Sequence, residues 1–473
     1  MTVLVTLVVY KIVLLAIGVL ASRRTQDGAD FFLAGRRMGP IVASISASAS
    51  SSSAWTLLGV SGLAYKSGLS AIWLFPACVG GFCLNWFVLA PALQRHAHAS
   101  GALTTTDVLA RGRRAIVLVA SLIILVSLVT YVASQFQAAG KSFAATFEVS
   151  QEASILIGSV IIVAYTLLGG FWAVSITDTL QGLVMAGTAI VLPVVAVAHI
   201  GVAGLLDGIA RVDVPGYANV FSNMGLPAAA GLVIGLLGIG LGYPGQPHVV
   251  NRFMALRDGE NEMRMARRVA IGWAVVVYAG MIVVGLCARV LLPVLADGET
   301  AFIATANKLL DPVFAGIMIA AVLSAVMSTA DSQLLVAAST VTHDLGLGGG
   351  GKTFLRRSRW AIVALSAFAV IAALTWNDSI FSMVLFAWSA MGCAFGPVLL
   401  VTVLRGPVRP GGTLLAMSLG FSLSVAAYAA NKGWGLGSWA GTLERVVPFI
   451  IALIVARLSS DRTWPTTRAV TLR

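Results

Sequence analysis

The chain has 473 residues, of which 58% are hydrophobic and 11% are charged, and its formal net charge is +12. A soluble globular protein is roughly half apolar and about a quarter charged, so this composition excludes a soluble enzyme. In a soluble protein the positive charge would suggest a nucleic-acid partner. Here the placement of the basic residues accounts for the charge, and we expect no nucleic acid to bind.

Runs of about 20 apolar residues recur along the chain, and each is long enough to cross a hydrocarbon core of about 30 Å as a helix. The pattern predicts an all-α membrane protein with about 13 transmembrane helices in a single domain, residues 1–473. The first run lacks a basic leader and a cleavage site, so we interpret it as a span rather than a signal peptide. The predicted spans are residues 2–22, 41–64, 70–93, 114–136, 153–171, 178–199, 228–246, 268–294, 313–340, 360–376, 380–404, 412–430 and 443–458.

Lysine and arginine are distributed unevenly between the predicted loops. With the N-terminus outside, the inner loops and C-terminal tail hold 23 basic residues and the outer loops hold 7. Cytoplasmic loops of membrane proteins carry an excess of these residues. We therefore expect a multi-pass protein of the cell inner membrane, in contact with the lipid bilayer, with the N-terminus outside and the C-terminus in the cytoplasm.

The second span carries an unusual run of hydroxyl groups. Seven serines lie between Ser44 and Ser53, and Gly59 and Gly62 follow closely. Serine hydroxyls compete for backbone hydrogen bonds, so this helix is predicted to unwind near its middle and turn carbonyl groups towards a cavity. The alternative is a close-packed interface of small residues with a neighbouring helix.

The ninth span presents a stripe of oxygen-bearing residues. Ala325, Ser328, Thr329 and Ser332 share one helix face by their spacing, and Asp331 borders that face. Hydroxyl, carbonyl and carboxylate oxygens are the ligands that hard cations prefer. The stripe therefore indicates a cation site, although packing of hydroxyls between helices would produce a similar pattern.

Two further features lie at predicted helix ends. Asp178 is expected to open the sixth span, where a carboxylate near a helix N-terminus is ordinary dipole chemistry. The glycine- and proline-rich segment 242–248 is expected to end the seventh span. The five histidines lie at span ends or in loops without paired carboxylates, so the sequence predicts no enzyme active site.

Six motifs occur in order along the chain, and together they resemble the sodium/solute symporter family, most closely its bacterial proline-transporting members. They are Phe31 to Arg36, the serine-rich segment with Trp55, Gly169 to Val174 with Thr177 to Gln181, Gly240 to His248, Ala325 to Thr329, and Ala387-Trp388 with Phe395 to Pro397.

The resemblance implies an inverted-repeat, broken-helix transporter fold with a five-plus-five core. Residues 41–199 would form the first repeat and residues 228–404 the second, with residues 1–22 and 412–458 as peripheral helices. It also implies secondary active transport by alternating access. Sodium would be co-transported with a small organic solute, expected to be an amino acid such as proline.

The family's binding residues carry over to positions in this sequence. The implied sodium ligands are the carbonyls of Ala49, Ser52 and Ala325 and the hydroxyls of Ser328 and Thr329. A possible second sodium would lie at Asp178 with Ser328, Asp331 and Ser332. The implied solute contacts are Ser53, Trp55, Gly59, Tyr131, Tyr243 and Pro247, with Ile239 in the pocket wall.

Two departures from the family pattern leave the solute open. The proline transporters have aspartate at the position of Ser51 and tryptophan at the position of Ile239, while Asp331 stands where they have a neutral residue. Another solute, such as a monocarboxylate, a sugar or a urea-like compound, is the main alternative. Proton coupling through Asp178 or Asp331 and a transporter-like membrane sensor are the others. The sequence makes no prediction of oligomeric state.

Overall fold

The computed structural model describes residues 9–10, 12–14, 16–17, 33–147, 149–168, 170–349, 352–376 and 378–461. The first predicted span, residues 2–22, falls largely outside these ranges, as do Phe31, Phe32 and the tail beyond residue 461.

From residue 33 onwards the described chain is helical, and its extended pairing is limited to two isolated bridges. Short 3-10 and π-helical turns connect or interrupt several helices, and two of these interruptions lie at the candidate site. The eighteen α-helices are α1 (Pro40–Ser51), α2 (Ser61–Ser67), α3 (Leu74–Cys83), α4 (Ala90–Ser100), α5 (Thr105–Ala110), α6 (Arg114–Phe147), α7 (Gln151–Leu168), α8 (Phe171–Ile200), α9 (Val202–Ala210), α10 (Leu226–Leu237), α11 (Pro247–Ala255), α12 (Glu260–Leu291), α13 (Ala301–Leu309), α14 (Pro312–Ser339), α15 (Lys352–Thr375), α16 (Ile380–Arg405), α17 (Pro410–Trp434) and α18 (Val447–Leu458).

Ten helical segments of the described chain are long and apolar enough to cross a membrane. The predicted all-α membrane class is confirmed, but the count of thirteen is not. One segment, Trp55–Ser100, has 46 residues, which is about twice what a single crossing needs. Its direction changes at Gly68, where φ is +63° and an added Cβ would lie 2.1 Å from the carbonyl oxygen of Tyr217.

The structure differs from the predicted spans in two ways that matter for the site. The sixth span begins at Phe171 rather than at residue 178, so Asp178 lies two turns inside α8. The seventh ends at Gly245, close to the predicted residue 246, but the chain does not become a loop there, because it resumes as α11 directly after Gln246. Proline at the first helical position is compatible with a helix start, and Pro247 occupies that position.

The helices differ strongly in how far they are enclosed. In the most apolar 18-residue stretch of each helix, 94% of the residues of α16 and 83% of those of α14 are buried. The corresponding share is 28% in both α15 and α17. Helices α14 and α16 are therefore central, and α15 and α17 present most of their surface outward. The candidate site forms where α14 and α16 meet the two interrupted helices.

Side-chain contacts define the two ends of the bundle. At one end, here called the basic end, Arg36 donates to the carbonyl of Ala97 at 2.9 Å and Arg111 donates to that of Val408 at 2.8 Å. The other end, here called the distal end, carries Lys141, which is 2.6 Å from a carboxylate oxygen of Glu299. The arginines that the sequence places in inner loops thus tie together segments at one end.

Candidate functional site

The first interrupted helix breaks at Ser52. The hydroxyls of Ser44 and Ser48 donate to carbonyls four residues earlier, at 2.6 and 2.7 Å, which is the competition with the helix ladder expected of serine. Ser52 leaves the α region (φ −110°, ψ 15°), and Trp55–Val60 continue as a π-helix. Such π-helical turns are frequent at functional sites. Just before this one, at the end of α1, the carbonyls of Ala49 and Ser50 contact α14.

The stripe on α14 meets these carbonyls. The Ser328 hydroxyl donates to the carbonyl of Ala49 at 3.4 Å and to that of Ala325 at 3.3 Å. The Thr329 hydroxyl donates to the carbonyl of Ser50 at 3.1 Å. All five residues are buried. The structure therefore brings together Ala49, Ala325, Ser328 and Thr329, four of the five implied sodium ligands, and adds the Ser50 carbonyl.

The fifth implied ligand is the carbonyl of Ser52, and the side chain of this residue contacts α12. Its hydroxyl shares a hydrogen bond of 3.2 Å with the phenol of Tyr278, which in turn shares one of 2.9 Å with the phenol of Tyr243. Tyr278 is buried in the middle of an apolar helix, and nothing in the sequence analysis marked it. Tyr278 therefore links Ser52, at the proposed sodium site, to Tyr243, one of the implied solute contacts.

These oxygens suit a monovalent hard cation. The set consists of backbone carbonyls and hydroxyls, the donors that such a cation prefers. In this structure the two α14 hydroxyls donate to the carbonyls across distances of 3.1–3.4 Å, which are at or beyond the long end of protein hydrogen bonds. A cation between α1 and α14 would replace these weak contacts with direct coordination.

Asp178 lies at the centre of a second buried cluster, next to the proposed sodium ligands. Its Oδ2 accepts hydrogen bonds from Ser46 at 2.8 Å, Ser50 at 3.1 Å and Arg252 at 2.9 Å. The Ser332 hydroxyl lies 3.4 Å from the same oxygen. The predicted role at a helix N-terminus is wrong, because Gly170 precedes the first turn of α8 and Asp178 lies well inside it.

The other two residues named for a second sodium, Asp331 and Ser328, contact Ser332 and Ser50. Asp331 accepts a hydrogen bond of 2.7 Å from the backbone N–H of Ser332. The backbone carbonyl of Ser328 lies 3.3 Å from the hydroxyl of Ser50. Of the predicted set, Ser332 makes a direct contact with the Asp178 carboxylate.

The implied solute residues of the first half line the segment just after the break. The Tyr131 phenol donates to the Ser53 hydroxyl at 3.3 Å. The Trp55 ring packs edge-on against Phe381 of α16, with ring centroids 5.7 Å apart. Gly59 lies against the same Phe381 ring, which an added Cβ would meet at 3.1 Å. Phe381 is a wall residue that the sequence did not single out.

The implied residues of the second half surround the other break. Tyr243 packs edge-on against Trp388 of α16, with ring centroids 4.7 Å apart. The Trp388 indole donates to the carbonyl of Ile239 at 3.1 Å. Pro247 begins α11 immediately after Gln246, whose side chain donates to the carbonyl of Trp388 at 2.9 Å. Trp388 was visible in the sequence as part of a motif, although its pairing with Tyr243 was not.

The solute residues are buried among the packed helices rather than open to either end. Ser53, Tyr131 and Ile239 have no exposed surface, and Trp55 and Tyr243 are 1% exposed. A solute can occupy this region only if these contacts separate. The geometry thus requires a change of conformation during binding.

A partly buried ion network holds the distal end of the bundle together. Lys141 of α6 pairs with Asp297 at 2.7 Å and with Glu299 at 2.6 Å. Glu299 also accepts the N–H groups of Ile380 and Phe381 at the start of α16. Partial burial raises the pKa of the Asp297 carboxyl, but hydrogen bonds from Lys141 and the Glu299 N–H outweigh it, so this pKa lies below its usual value.

Two interrupted helices that bring carbonyls, hydroxyls and aromatic rings together inside a helical bundle define an ion-coupled secondary transporter. The chain belongs to the sodium:solute symporter family, because the sequence model of that family matches residues 31–420. It is a sodium-coupled solute symporter, and sodium is its co-transported ion.

Individual relatives support this assignment over nearly the whole chain. The osmoregulated proline transporter OpuE of Bacillus subtilis strain 168 is 32% identical, over 97% of this chain and 94% of its own length. The sodium/proline symporter of Escherichia coli strain K12 is 34% identical, over 95% of this chain and 91% of its own. The family expected from the motifs is confirmed.

Two solved structures share the fold. A Na+-coupled sialic acid symporter in a substrate-bound outward-open state has a TM-score of 0.78 at 19% identity, covering 98% of this chain and 99% of its own. Mhp1, a nucleobase-cation-symport-1 family transporter, has a TM-score of 0.56 at 13% identity, covering 93% of this chain and 97% of its own. The predicted broken-helix transporter fold is confirmed by this likeness.

Proposed function

We propose that this symporter takes up proline, or an amino acid of similar size, together with sodium. The observation that carries the proposal is the contact between the α14 hydroxyls of Ser328 and Thr329 and the carbonyls at the break in α1, directly beside the aromatic residues of the pocket. The proline transporters among the relatives support the choice of solute.

In this proposal sodium binds first and bridges α1 to α14. Its ligands are the carbonyls of Ala49, Ser52 and Ala325 and the hydroxyls of Ser328 and Thr329. Binding there fixes the conformation of the chain after Ser52, where Ser53 and Trp55 begin the solute pocket. Because the two sites share this short segment, occupancy of one changes the free energy of occupying the other.

The solute then binds between the two breaks, in contact with Ser53, Trp55, Gly59, Tyr131, Ile239, Tyr243 and Pro247. The start of α11 at Pro247 presents the positive end of a helix dipole, which favours a carboxylate such as that of an amino acid. Rocking of one helix bundle against the other releases both ligands to the opposite side. Residues 41–199 and 228–404 are the two repeats from which the proposed core is built.

We place the basic end in the cytoplasm, so that the distal end with Lys141 and Glu299 faces outward. The excess of basic residues at one end supports this orientation. Sodium entry across about 100 mV contributes about 2.3 kcal/mol per charge, and an approximately tenfold gradient adds about 1.4 kcal/mol. One sodium ion could therefore sustain roughly 500-fold accumulation of a neutral solute.

Uptake of radiolabelled L-proline into proteoliposomes tests the proposal. We expect accumulation with an inward sodium gradient and none when choline replaces sodium, with protein-free liposomes as the control. A panel of unlabelled amino acids, monocarboxylates, sugars and urea competes with the label.

Sodium-dependent uptake of a different solute, with no proline transport, would reject proline and keep the coupling. Uptake that responds to a pH gradient and not to sodium would reject the sodium site as the coupling element. In that case Asp178 and Asp331 become the groups to test for proton coupling.

A further inference from the structure

His248 carries a buried imidazole ring that the proposed function does not use. It is the second residue of α11, directly after Pro247, which is one of the proposed solute contacts. The residue has no exposed surface. The sequence pattern places it where the seventh span ends, but the helix restarts at Pro247 and carries the ring into the bundle.

The ring nitrogens of His248 are not satisfied within the bundle. Neither Nδ1 nor Nε2 makes a hydrogen bond with any of the described residues. The carbonyl of Ser50 lies close to the ring, but that carbonyl accepts the hydroxyl of Thr329 and its geometry gives no hydrogen bond to either nitrogen. Buried polar groups are nearly always paired, because an unpaired one costs free energy. The ring therefore requires a partner that binds at this position.

The contacts of His248 place it with the proposed solute residues. Its ring lies perpendicular to that of Tyr131, with ring centroids 6.1 Å apart. The Tyr131 phenol donates to the Ser53 hydroxyl at 3.3 Å, and the same hydroxyl accepts the backbone N–H of Trp55 at 3.3 Å. These contacts connect the start of α11 with the segment that follows the break in α1.

The indole of Trp55 is a second unpaired donor in this group. Its Nε1 is buried and makes no hydrogen bond with the described residues. An indole N–H can only donate, and a neutral imidazole also carries one N–H. Each helix break is thus followed by one unpaired N–H donor. A carboxylate offers two oxygens that accept strongly from such donors, and the N-terminus of α11 favours a negative charge.

Arg252 is the cation one turn further along α11, but its charge is already paired. Its guanidinium donates to Asp178 and to Ser332. Neutral N–H groups are therefore the donors left for a carboxylate here. A sugar or urea, which lacks a carboxylate, would leave these donors without a charged acceptor.

We infer that His248 is a solute-binding residue, whose ring N–H donates to one carboxylate oxygen of the transported amino acid while the Trp55 indole donates to the other. The inference rests on the proposed uptake of an amino acid. It deepens that proposal by naming a group that selects a carboxylate.

The test is binding of tritiated L-proline to the purified full-length protein in sodium, with unlabelled L-proline or L-prolinamide as competitor. Prolinamide has an uncharged amide in place of the carboxylate. His248→Leu is expected to weaken proline binding about 10- to 100-fold and prolinamide binding about 2- to 10-fold, because hydrogen bonds to charged acceptors are stronger. His199→Leu is the matched control and should change neither value, because His199 is exposed in the last turn of α8.

Melting temperatures in sodium without solute separate binding from folding. His248→Leu removes unpaired buried polar atoms, so its melting temperature is expected to be no lower than that of the wild type. His248→Asn and His248→Gln each keep an N–H donor, near the positions of Nδ1 and Nε2. One of these two variants is expected to bind proline more tightly than His248→Leu does.

Equal weakening of proline and prolinamide binding, or a melting temperature of His248→Leu well below that of the wild type, would indicate a structural role and overturn the inference. Unchanged proline affinity in folded His248→Leu would overturn it as well. In each case proline binding by the wild type would leave the proposed function intact. A folded wild-type protein that binds neither proline nor another amino acid in sodium would overturn the proposed function itself.

Discussion

The hydroxyl of Thr329 on α14 lies 3.1 Å from the carbonyl oxygen of Ser50 on α1, 279 residues earlier in the chain. This contact spans the break in the first interrupted helix. Thr329 is also one of two side-chain oxygens proposed to bind sodium. Its hydroxyl therefore holds the two helices together in the absence of sodium and would turn to the ion when sodium binds.

We expect Thr329→Ala to raise the sodium concentration for half-maximal uptake by roughly tenfold, since losing one oxygen partner costs about 1.4 kcal/mol. The measurement is sodium-dependent proline uptake in proteoliposomes. Thr166→Ala is the matched control, because the hydroxyl of buried Thr166 donates within its own helix α7, to the carbonyl of Ile162. Equal sodium dependence in both folded variants would contradict the site assignment.

Tyr278 links the two binding regions through its phenol, which shares hydrogen bonds with Ser52 at 3.2 Å and Tyr243 at 2.9 Å. Tyr278→Phe keeps the ring and breaks the chain of hydroxyls. We expect the apparent KM for proline to rise about fivefold, which corresponds to about 1 kcal/mol, with a smaller increase in the sodium requirement.

The control for this change is Tyr217→Phe, which removes a buried phenol that donates to the carbonyl of Ala64 at the distal end. Its KM for proline is expected to stay within twofold of the wild type. A Tyr278→Phe protein with an unchanged KM would show that the hydroxyl chain does not take part in solute binding.

The sodium set could be predicted from the sequence because its signal is local. Ser328 and Thr329 lie one turn beyond Ala325 on a face of a single helix, and the serine run marks the other helix by composition alone. Family resemblance supplied the pairing of the two helices across nearly 280 residues. Periodicity within either helix carries no information about that pairing.

Arg252 and Tyr278 could not be found in the same way. The apolar run ends at two prolines, so a hydropathy argument places Arg252 in a loop, and its partner Asp178 is 74 residues away. The overlooked signal was Pro247, since proline at the first position is compatible with a new helix. Tyr278 is a single phenol in an apolar helix, and its role depends on Ser52 and Tyr243, which are distant in sequence.

The distal network offers a comparison of two lysine pairs at the same end. Lys141 is 17% exposed and pairs with Asp297 and Glu299, whereas Lys432 is 48% exposed and pairs with Asp378. We expect Lys141→Ala to lower the free energy of unfolding by about 2 kcal/mol, because it strands a buried carboxylate. Lys432→Ala should cost less than about 1 kcal/mol, as for surface pairs.

Thermal melts of the purified variants at several pH values measure this difference. The pKa of Asp297 is lowered in the folded protein, so its contribution is complete above its usual pKa of about 3.9 and is lost as the pH falls through the lower folded value. The gap between Lys141→Ala and wild type should therefore be constant from pH 5 to pH 8. Equal costs for the two lysine variants would argue against a special role for the buried network.

Two glycines of α12 allow the effect of close helix packing on stability to be measured apart from the effect of helix propensity. Gly280 faces α8 so closely that an added Cβ would lie 2.0 Å from the carbonyl oxygen of Ala189, whereas Gly272 has no atom within 4 Å of that position. Gly280→Ala forces the helices apart and should cost about 1–3 kcal/mol. Gly272→Ala should be neutral or stabilising, because alanine is favoured over glycine in a helix by about 1 kcal/mol.

The fraction of protein that remains monodisperse after heating, followed by fluorescence-detected size exclusion, distinguishes the two glycine variants. Because α8 carries Asp178 and α12 carries Tyr278, separation of these helices should also weaken sodium binding in the Gly280→Ala protein that survives. Equal thermal stability of the two variants would mean that α8 and α12 do not pack as closely as the carbonyl contact at Gly280 requires.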